Sequence, residues 1–281
     1  MTTGVDETNS SQPEAATSDP SAASTVSSNV DFPWDEFDTG EYLAHNYRKL
    51  RDDDREITTT VGDYFAEKCA DHPNSGALRG IDVGTGANLY PTLAMLPFCD
   101  QIRLLEFSAS NVAWLQEQQA TEWPSWPGTW QKFWDLLCDR PEYKQFAGAD
   151  MRRELTKRTE VHPGSVLTME IPDEGPFDIG TMFFVAESIS PQRKEYNSAL
   201  HHFLNVLRPG APFAIALMEH SRGYQVGDKF FPATDIDVAD VADFLGGCAR
   251  DIAVKRIAPE GDPLREGYTA MIIVCGRVEK R

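Results

Sequence analysis

Cysteine is sparse and unpatterned. Cys69, Cys99, Cys138, Cys248 and Cys275 are odd in number and scattered over 281 residues, with no CxxC and no histidine at ligand spacing. That argues against a disulfide framework or a zinc knuckle, and for buried apolar thiols in a reduced, cytoplasmic compartment. Positive charge is also scarce: 26 Lys+Arg face 44 Asp+Glu, a formal net of -18. Such a surface repels phosphate backbones and anionic lipid, so neither a nucleic-acid nor a membrane partner is expected. No apolar run approaches the ~18 residues needed to span a bilayer. The N-terminus shows no basic or apolar region of a signal peptide. No GxSxG nucleophile turn occurs. His201 and His202 are adjacent, so on a helix they face different directions and form no metal pair. Asp52, Asp53 and Asp54, between Arg51 and Arg55, read as a solvated charge cluster. No metal site is expected.

What is present suits a globular fold: 41% of the residues are hydrophobic and 25% charged. Residues 1–31 stand apart. They are rich in Ser, Thr, Ala and acids and contain no aromatic, Lys or Arg, which predicts a disordered acidic tail. Phe32, Trp34 and Phe37 mark the expected start of an ordered domain over 32–281. From there strand and helix alternate. Helices are predicted over 57–70, from Ser108, over 194–207 and over 238–245. Strands are predicted over 77–83, 102–107, 166–169, 177–185 and 212–218, with a closing pair over 252–257 and 268–274. This pattern implies an α/β fold, a doubly wound, mostly parallel sheet with helices on both faces. The last two strands have no helix between them and read as an antiparallel edge pair. Ligand is expected outside the carboxyl ends of the strands, near the switch in strand order.

One stretch breaks the alternation. Residues 122–160 are too long for a loop and hold four of the six tryptophans: Trp123, Trp126, Trp130 and Trp134. They read as a helical insertion, an extra helical pair with a local aromatic core. The other reading is a cap beside the site.

Ile81-Asp82-Val83-Gly84-Thr85-Gly86 is a strand running into a glycine turn. Glycine admits a ligand close to the backbone. Glu106 lies twenty residues beyond Gly86, at the end of the second strand, where a carboxylate suits the vicinal hydroxyls of a ribose. A dinucleotide fingerprint would place its third glycine at position 89, which is Leu89. A nicotinamide-dependent oxidoreductase, NAD(P)-dependent, is therefore the weaker reading.

These residues resemble class I S-adenosylmethionine-dependent methyltransferases, which have a Rossmann-like seven-stranded sheet. The chain is similar to the branch containing the nicotinamide, phenylethanolamine and thioether/indolethylamine N-methyltransferases. The resemblance runs in order through Tyr42-Leu43-Ala44-His45-Asn46-Tyr47, the glycine turn with Tyr90, Glu106-Phe107-Ser108 with Asn111, and Glu187-Ser188-Ile189-Ser190-Pro191. It continues through Leu207-Arg208-Pro209-Gly210 to Tyr224-Gln225-Val226-Gly227 and covers roughly 34–278. It implies cofactor binding by Trp34, Tyr42, Tyr47, Gly84, Thr85, Gly86, Tyr90, Glu106, Phe107, Asn111, Ser165, Val166 and Phe183. It makes 32–76 an N-terminal helical lid in which Trp34 covers the site. It implies that Glu187 contacts the acceptor or takes its proton, that His220 is a second candidate base, and that Glu219 and Tyr224 bind substrate.

The chain departs from that branch in two places. An acidic residue common in the family is Ser165 here. The acid that some members place before the final strand to anchor an amine aligns with Leu264, with Glu266 two residues on. The expected activity is methyl transfer from S-adenosylmethionine, leaving S-adenosylhomocysteine, to a small-molecule acceptor at a nitrogen of an amine or heteroarene. O-, S- or C-methylation and a non-catalytic cofactor-binding protein are the alternatives. A monomer is expected.

Overall fold

The computed structural model describes residues 1–2, 27–259, 264–265 and 267–279. Two short 3₁₀ turns, Asn29–Asp31 and Trp34–Glu36, lead into α1 (Thr39–Tyr47) and α2 (Asp52–Cys69). Asp38 caps α1 by accepting the Glu41 backbone N–H at 2.8 Å. Most of the expected tail lies outside the described residues. Its last residues are ordered, though: Asn29 is buried and donates to the Ile189 carbonyl and to Glu195. The folded chain therefore starts before the first aromatic, because a polar side chain finds buried partners there.

The solvated cluster expected at the start of α2 is also corrected. Asp53 and Asp54 are buried, and the Arg51 guanidinium lies against Asp53 at 3.2 Å. Burial pushes the Asp54 carboxyl well above its ordinary range, with Asp53 adding repulsion.

The sheet is built from β1 (Leu78–Val83), β2 (Cys99–Glu106), β3 (Thr159–Pro163), β4 (Ile179–Phe183) and β5 (Pro212–Glu219). A hairpin of β6 (Tyr224–Val226) and β7 (Lys229–Phe231) stands apart from it, and β8 (Ala249–Ile257) and β9 (Ala270–Val278) complete it. The seven-stranded order is β3-β2-β1-β4-β5-β9-β8. The first five strands are parallel, and β9 runs antiparallel to both its neighbours. The connecting helices are α3 (Tyr90–Met95), α4 (Ala109–Ala120), α5 (Gln131–Leu137), α6 (Pro141–Lys144), α7 (Met151–Arg158), α8 (Arg193–Val206) and α9 (Val238–Leu245). Every residue of β4 and β5 is buried, as strands covered on both faces must be. The direction of strand progression reverses between β1 and β4, which opens a crevice at their carboxyl ends. Among the described residues no helix is long and apolar enough to cross a membrane.

The third strand is not 166–169. It is Thr159–Pro163, whose only fully buried position is Thr159. An edge strand held by main-chain pairing to β2 needs no apolar alternation, so periodicity passed over it. Val166 instead sits in the turn that follows and faces the crevice. The β6–β7 hairpin escaped notice for a related reason. Two three-residue strands are too short to show a period, although Gly227-Asp228 between them is a two-residue turn signal.

The insertion is more than a helical pair. A π-helical turn at Trp126–Trp130 precedes α5, α6 and α7. All four tryptophans are buried. Their aromatic cluster is not local: it joins the main core. Trp130 lies 5.5 Å from Tyr47, and Tyr90 stacks on Phe133 at 5.1 Å between ring centroids. The Tyr143 hydroxyl donates to the Ala94 carbonyl at 2.7 Å, tying α6 to α3.

At the end of β1, Asp82 is fully buried and accepts hydroxyl bonds from Thr92 (2.7 Å) and Thr181 (2.8 Å). Desolvation outweighs these bonds and pushes its carboxyl up to about 7. The folded state therefore holds this proton more tightly than the unfolded chain. Stability contributed by the neutral acid is present at low pH and is lost as pH rises through about 7. Relative to the parent, Asp82→Asn is expected to gain on the order of 2 kcal/mol between pH 5 and pH 8, as the parent weakens. Urea unfolding of both proteins at each pH measures this; a pH-independent difference contradicts it.

Candidate active site

The site begins with the turn after β1. Gly84 has φ +67°, and a Cβ there would come within 2.4 Å of Val185 Cγ2. Only glycine lets β1 and the end of β4 approach this closely. The Gly84 N–H donates to the Leu105 carbonyl at 2.7 Å, locking the turn against β2.

Glu106, the last residue of β2, is buried, and its carboxylate is held by the main chain. Oε2 accepts the Gly86 N–H at 2.8 Å. Oε1 accepts the N–H groups of Phe107 (2.9 Å) and Ser108 (2.8 Å). Asn111 Nδ2 lies 3.5 Å from Oε1. Burial raises this carboxyl above its ordinary range, while the bonds from Ser108, Gly86, Asn111 and Phe107 pull the other way. The oxygens retain acceptor capacity toward the crevice.

A strap covers the crevice. Ser108 caps α4, and its Oγ donates to the Trp34 carbonyl at 2.7 Å. The Ala109 N–H donates to Asp35 at 2.9 Å, and Ser110 Oγ to the Phe37 carbonyl at 3.0 Å. Thr39 donates to Asn111 Oδ1 at 2.6 Å. The strap also packs on the hairpin, with Phe231 5.0 Å from Phe37 and 4.9 Å from Trp34. Beneath the strap lies a cleft that is open on one side.

Twelve of the thirteen residues expected to bind cofactor line this cleft: Trp34, Tyr42, Tyr47, Gly84, Thr85, Gly86, Glu106, Phe107, Asn111, Ser165, Val166 and Phe183. Tyr90 does not. It is buried one layer back, 6.0 Å from Tyr47 and 5.6 Å from Phe183, because the whole of α3 is sunk in the core. It supports two lining aromatics rather than forming the wall.

Of the residues expected to act on substrate, Tyr224 lines the cleft. Glu187, expected to face the crevice, does not itself line the cleft; it is fully buried next to Ser188, which does. Its Oε1 accepts the Met218 N–H at 3.0 Å and the Ser188 hydroxyl at 3.2 Å, and its Oε2 has no partner among the described residues. Burial drives its carboxyl up to about 7, against the pull of those bonds and of Arg265.

Glu219 and His220 are corrected, since neither lines the cleft. Glu219 is consumed by Arg256 and Thr269, and the Arg256 bonds hold its carboxyl below the ordinary range. His220 turns outward at φ +55° to pair with Asp235 at 2.7 Å, which raises its pKa. Both sit in a separate shallow hollow with Asp237 and Arg256. Leu264 is half-buried near Tyr268, and Glu266 lies outside the described residues.

The sequence reading missed several lining residues. Asn88 lines the cleft, and its buried Nδ2 has no partner among the described residues. Phe184 lines it with φ +59°, a strained conformation for a bulky residue and a mark of function that only coordinates reveal. Asn29 and Phe37 enter through the strap. Phe37 was legible as an aromatic beside the tail, whereas Asn29 carried no signal.

These residues fit S-adenosylmethionine. A carboxylate stands ready for a diol, a glycine turn permits close approach, aromatic faces suit a sulfonium, and Asn88 keeps a free donor. Comparison with known proteins agrees. The NNMT/PNMT/TEMT family profile matches residues 27–261. Phenylethanolamine N-methyltransferase of Homo sapiens is 25% identical over 224 residues, 74% of this chain and 76% of that protein. The Mus musculus enzyme is 24% identical over 226 residues, 77% of this chain and 75% of that protein. Among solved structures, the N-methyltransferase NodS of Bradyrhizobium japonicum WM9 superposes with a TM-score of 0.50 at 10% identity, covering 80% of this chain and 96% of that one. At that identity the likeness shows the fold alone. The chain belongs to the NNMT/PNMT/TEMT family of S-adenosylmethionine-dependent methyltransferases, and its cofactor is S-adenosylmethionine.

Proposed function

We propose that this enzyme methylates a nitrogen of a small organic acceptor, with Tyr42 and Tyr47 holding the methionine end of the cofactor and the acceptor bound beside Tyr224. The observation that carries this reading is Glu106, locked by the backbone N–H groups of Gly86, Phe107 and Ser108 at the mouth of the strand crossover. When bound, S-adenosylmethionine supplies an electrophilic methyl group on a sulfonium. The protein's part is to bind, orient and exclude water. Glu106 accepts from the ribose hydroxyls, with Asn111 steadying it. Ser165 and Val166 flank the adenine, and Phe183 packs against the cofactor. Residues 32–76 act as a lid, closed by the hydrogen bonds from Ser108, Ala109 and Ser110. Insertion 122–160 holds the lid's Tyr47 through Trp130.

Glu187 is the proton acceptor or amine anchor in this reading. Its support is full burial with one oxygen unpartnered among the described residues. A neutral carboxyl neither takes a proton nor holds a cation, and burial keeps it neutral until about pH 7.

Calorimetry with S-adenosylhomocysteine should show binding, and Glu106→Ala should weaken it more than tenfold. Unchanged affinity in the variant contradicts the ribose assignment. With an amine acceptor in hand, kcat/KM should rise between pH 6 and pH 8 with an apparent pKa near 7. Glu187→Gln should flatten that rise and lower the plateau by ~10²-fold or more. An unaltered pH profile in the variant removes Glu187 from the mechanism.

A further inference from the structure

Glu187 stands one residue back from the cleft wall, and Ser188 is the side chain that spans the gap. Ser188 lines the cleft, is only 3% exposed, and its Oγ donates to Glu187 Oε1 at 3.2 Å. A hydroxyl has one proton and two lone pairs. Its proton is given to the carboxyl, and no other described residue bonds to Oγ. Only lone pairs therefore remain for a ligand in the cleft. Such an oxygen recognises a donor, and an N–H is the donor that an amine brings.

The position is held from several sides. The Ser188 N–H donates to the Val185 carbonyl at 2.9 Å, and Val185 is the residue that Gly84 approaches. The Thr234 N–H donates to the Glu187 carbonyl at 2.7 Å, and Asn29 Nδ2 to the Ile189 carbonyl at 3.0 Å. Three successive residues are thus pinned to three different segments, which fixes the hydroxyl at the cleft wall. The titratable groups within electrostatic reach of Glu187 are Arg265, Tyr224 on β6 and Tyr196 on α8. Burial pushes both phenols up and keeps them neutral, while Arg265 favours the carboxylate. Tyr224 also lines the cleft, so Ser188 and Glu187 belong to the end where the acceptor is placed.

We propose that Ser188 is a catalytic residue that passes the acceptor's proton to Glu187, and that the acceptor is an amine bearing an N–H and not a ring nitrogen of the pyridine type. The nitrogen lone pair forms the new N–C bond as the C–S bond breaks, and the C–S pair stays on sulfur. One N–H proton passes to Ser188 Oγ while the hydroxyl proton passes to Glu187 Oε1. One positive centre and one carboxylate are both neutralised, so charge balances. The proton on Glu187 returns to solvent once product has left. A pyridine-type nitrogen has no proton to give and makes no use of this pair. This inference rests on the N-methylation reading above and adds the class of acceptor to it.

The test is transfer of a labelled methyl group from S-adenosylmethionine by the full chain. The acceptors are three primary amines (benzylamine, 2-phenylethylamine and tryptamine) and three ring nitrogens without N–H (pyridine, quinoline and isoquinoline). At least one amine should be methylated, with kcat/KM at least tenfold above every ring nitrogen. For that amine, Ser188→Ala should lower the high-pH plateau of kcat by ~10²-fold, with S-adenosylhomocysteine affinity within about threefold of the parent. Ser188→Thr, which keeps a hydroxyl, should recover most of the loss. Adding Glu187→Gln to Ser188→Ala should cost little more, because both changes delete one proton path. Thermal unfolding of each variant reports whether the fold is intact. If Ser188→Ala keeps the parent plateau and only moves the rise to higher pH, the hydroxyl merely steadies the carboxylate and the proposal is overturned. Ring nitrogens methylated as fast as the amines overturn it and leave N-methylation standing. If S-adenosylhomocysteine binds but none of the six compounds is methylated, this inference falls. If S-adenosylhomocysteine fails to bind the parent, the Glu106 cofactor site falls first and takes this inference with it.

Discussion

The site depends on one carboxylate bound by its own backbone. Glu106 could not stay aimed at the crevice as a free surface acid. The N–H groups of Gly86, Phe107 and Ser108 hold both its oxygens. These donors exist only because the turn after β1 and the start of α4 bring unpaired N–H groups to the same point. The turn in turn requires Gly84, because any side chain there would strike Val185. Sheet order, glycine turn and helix start thus converge on one acceptor pair.

The remaining walls are attached to this point. Residues of the strap bond to Ser108, Ala109 and Ser110, the same helix start that anchors Glu106. Thr39 bonds to Asn111, which reaches Glu106. Closing the strap and fixing the carboxylate are therefore one structural event. At the opposite end, Tyr42 and Tyr224 pass from the cleft wall to Arg265, whose guanidinium stacks on the Tyr224 ring.

Much of this was legible in the sequence. The buried strands carried dense apolar runs, the α4 cap was a serine before a helical period, and the glycine turn with Glu106 twenty residues on gave the crevice. What escaped had physical reasons. β3 is a polar edge strand whose register is set by main-chain pairing to β2. The β6–β7 strands are shorter than a readable period. The burial of Asp53 and Asp54 depends on tertiary neighbours that no local charge pattern announces. Glu219 and His220 were placed correctly at the end of β5 along the chain, but side-chain direction there is set by Arg256 and Asp235, far away in sequence. Tyr90 followed the glycine turn as expected and was then drawn inward with α3.

The central claim is that the Glu106 carboxylate binds a sugar diol. The most direct measurement is a double comparison by calorimetry: S-adenosylhomocysteine against its 2′,3′-dideoxy analogue, in the parent and in Glu106→Ala. The account predicts that removing the hydroxyls costs the parent at least tenfold and costs the variant almost nothing, because the two changes delete the same contact. Equal losses in both proteins would contradict it.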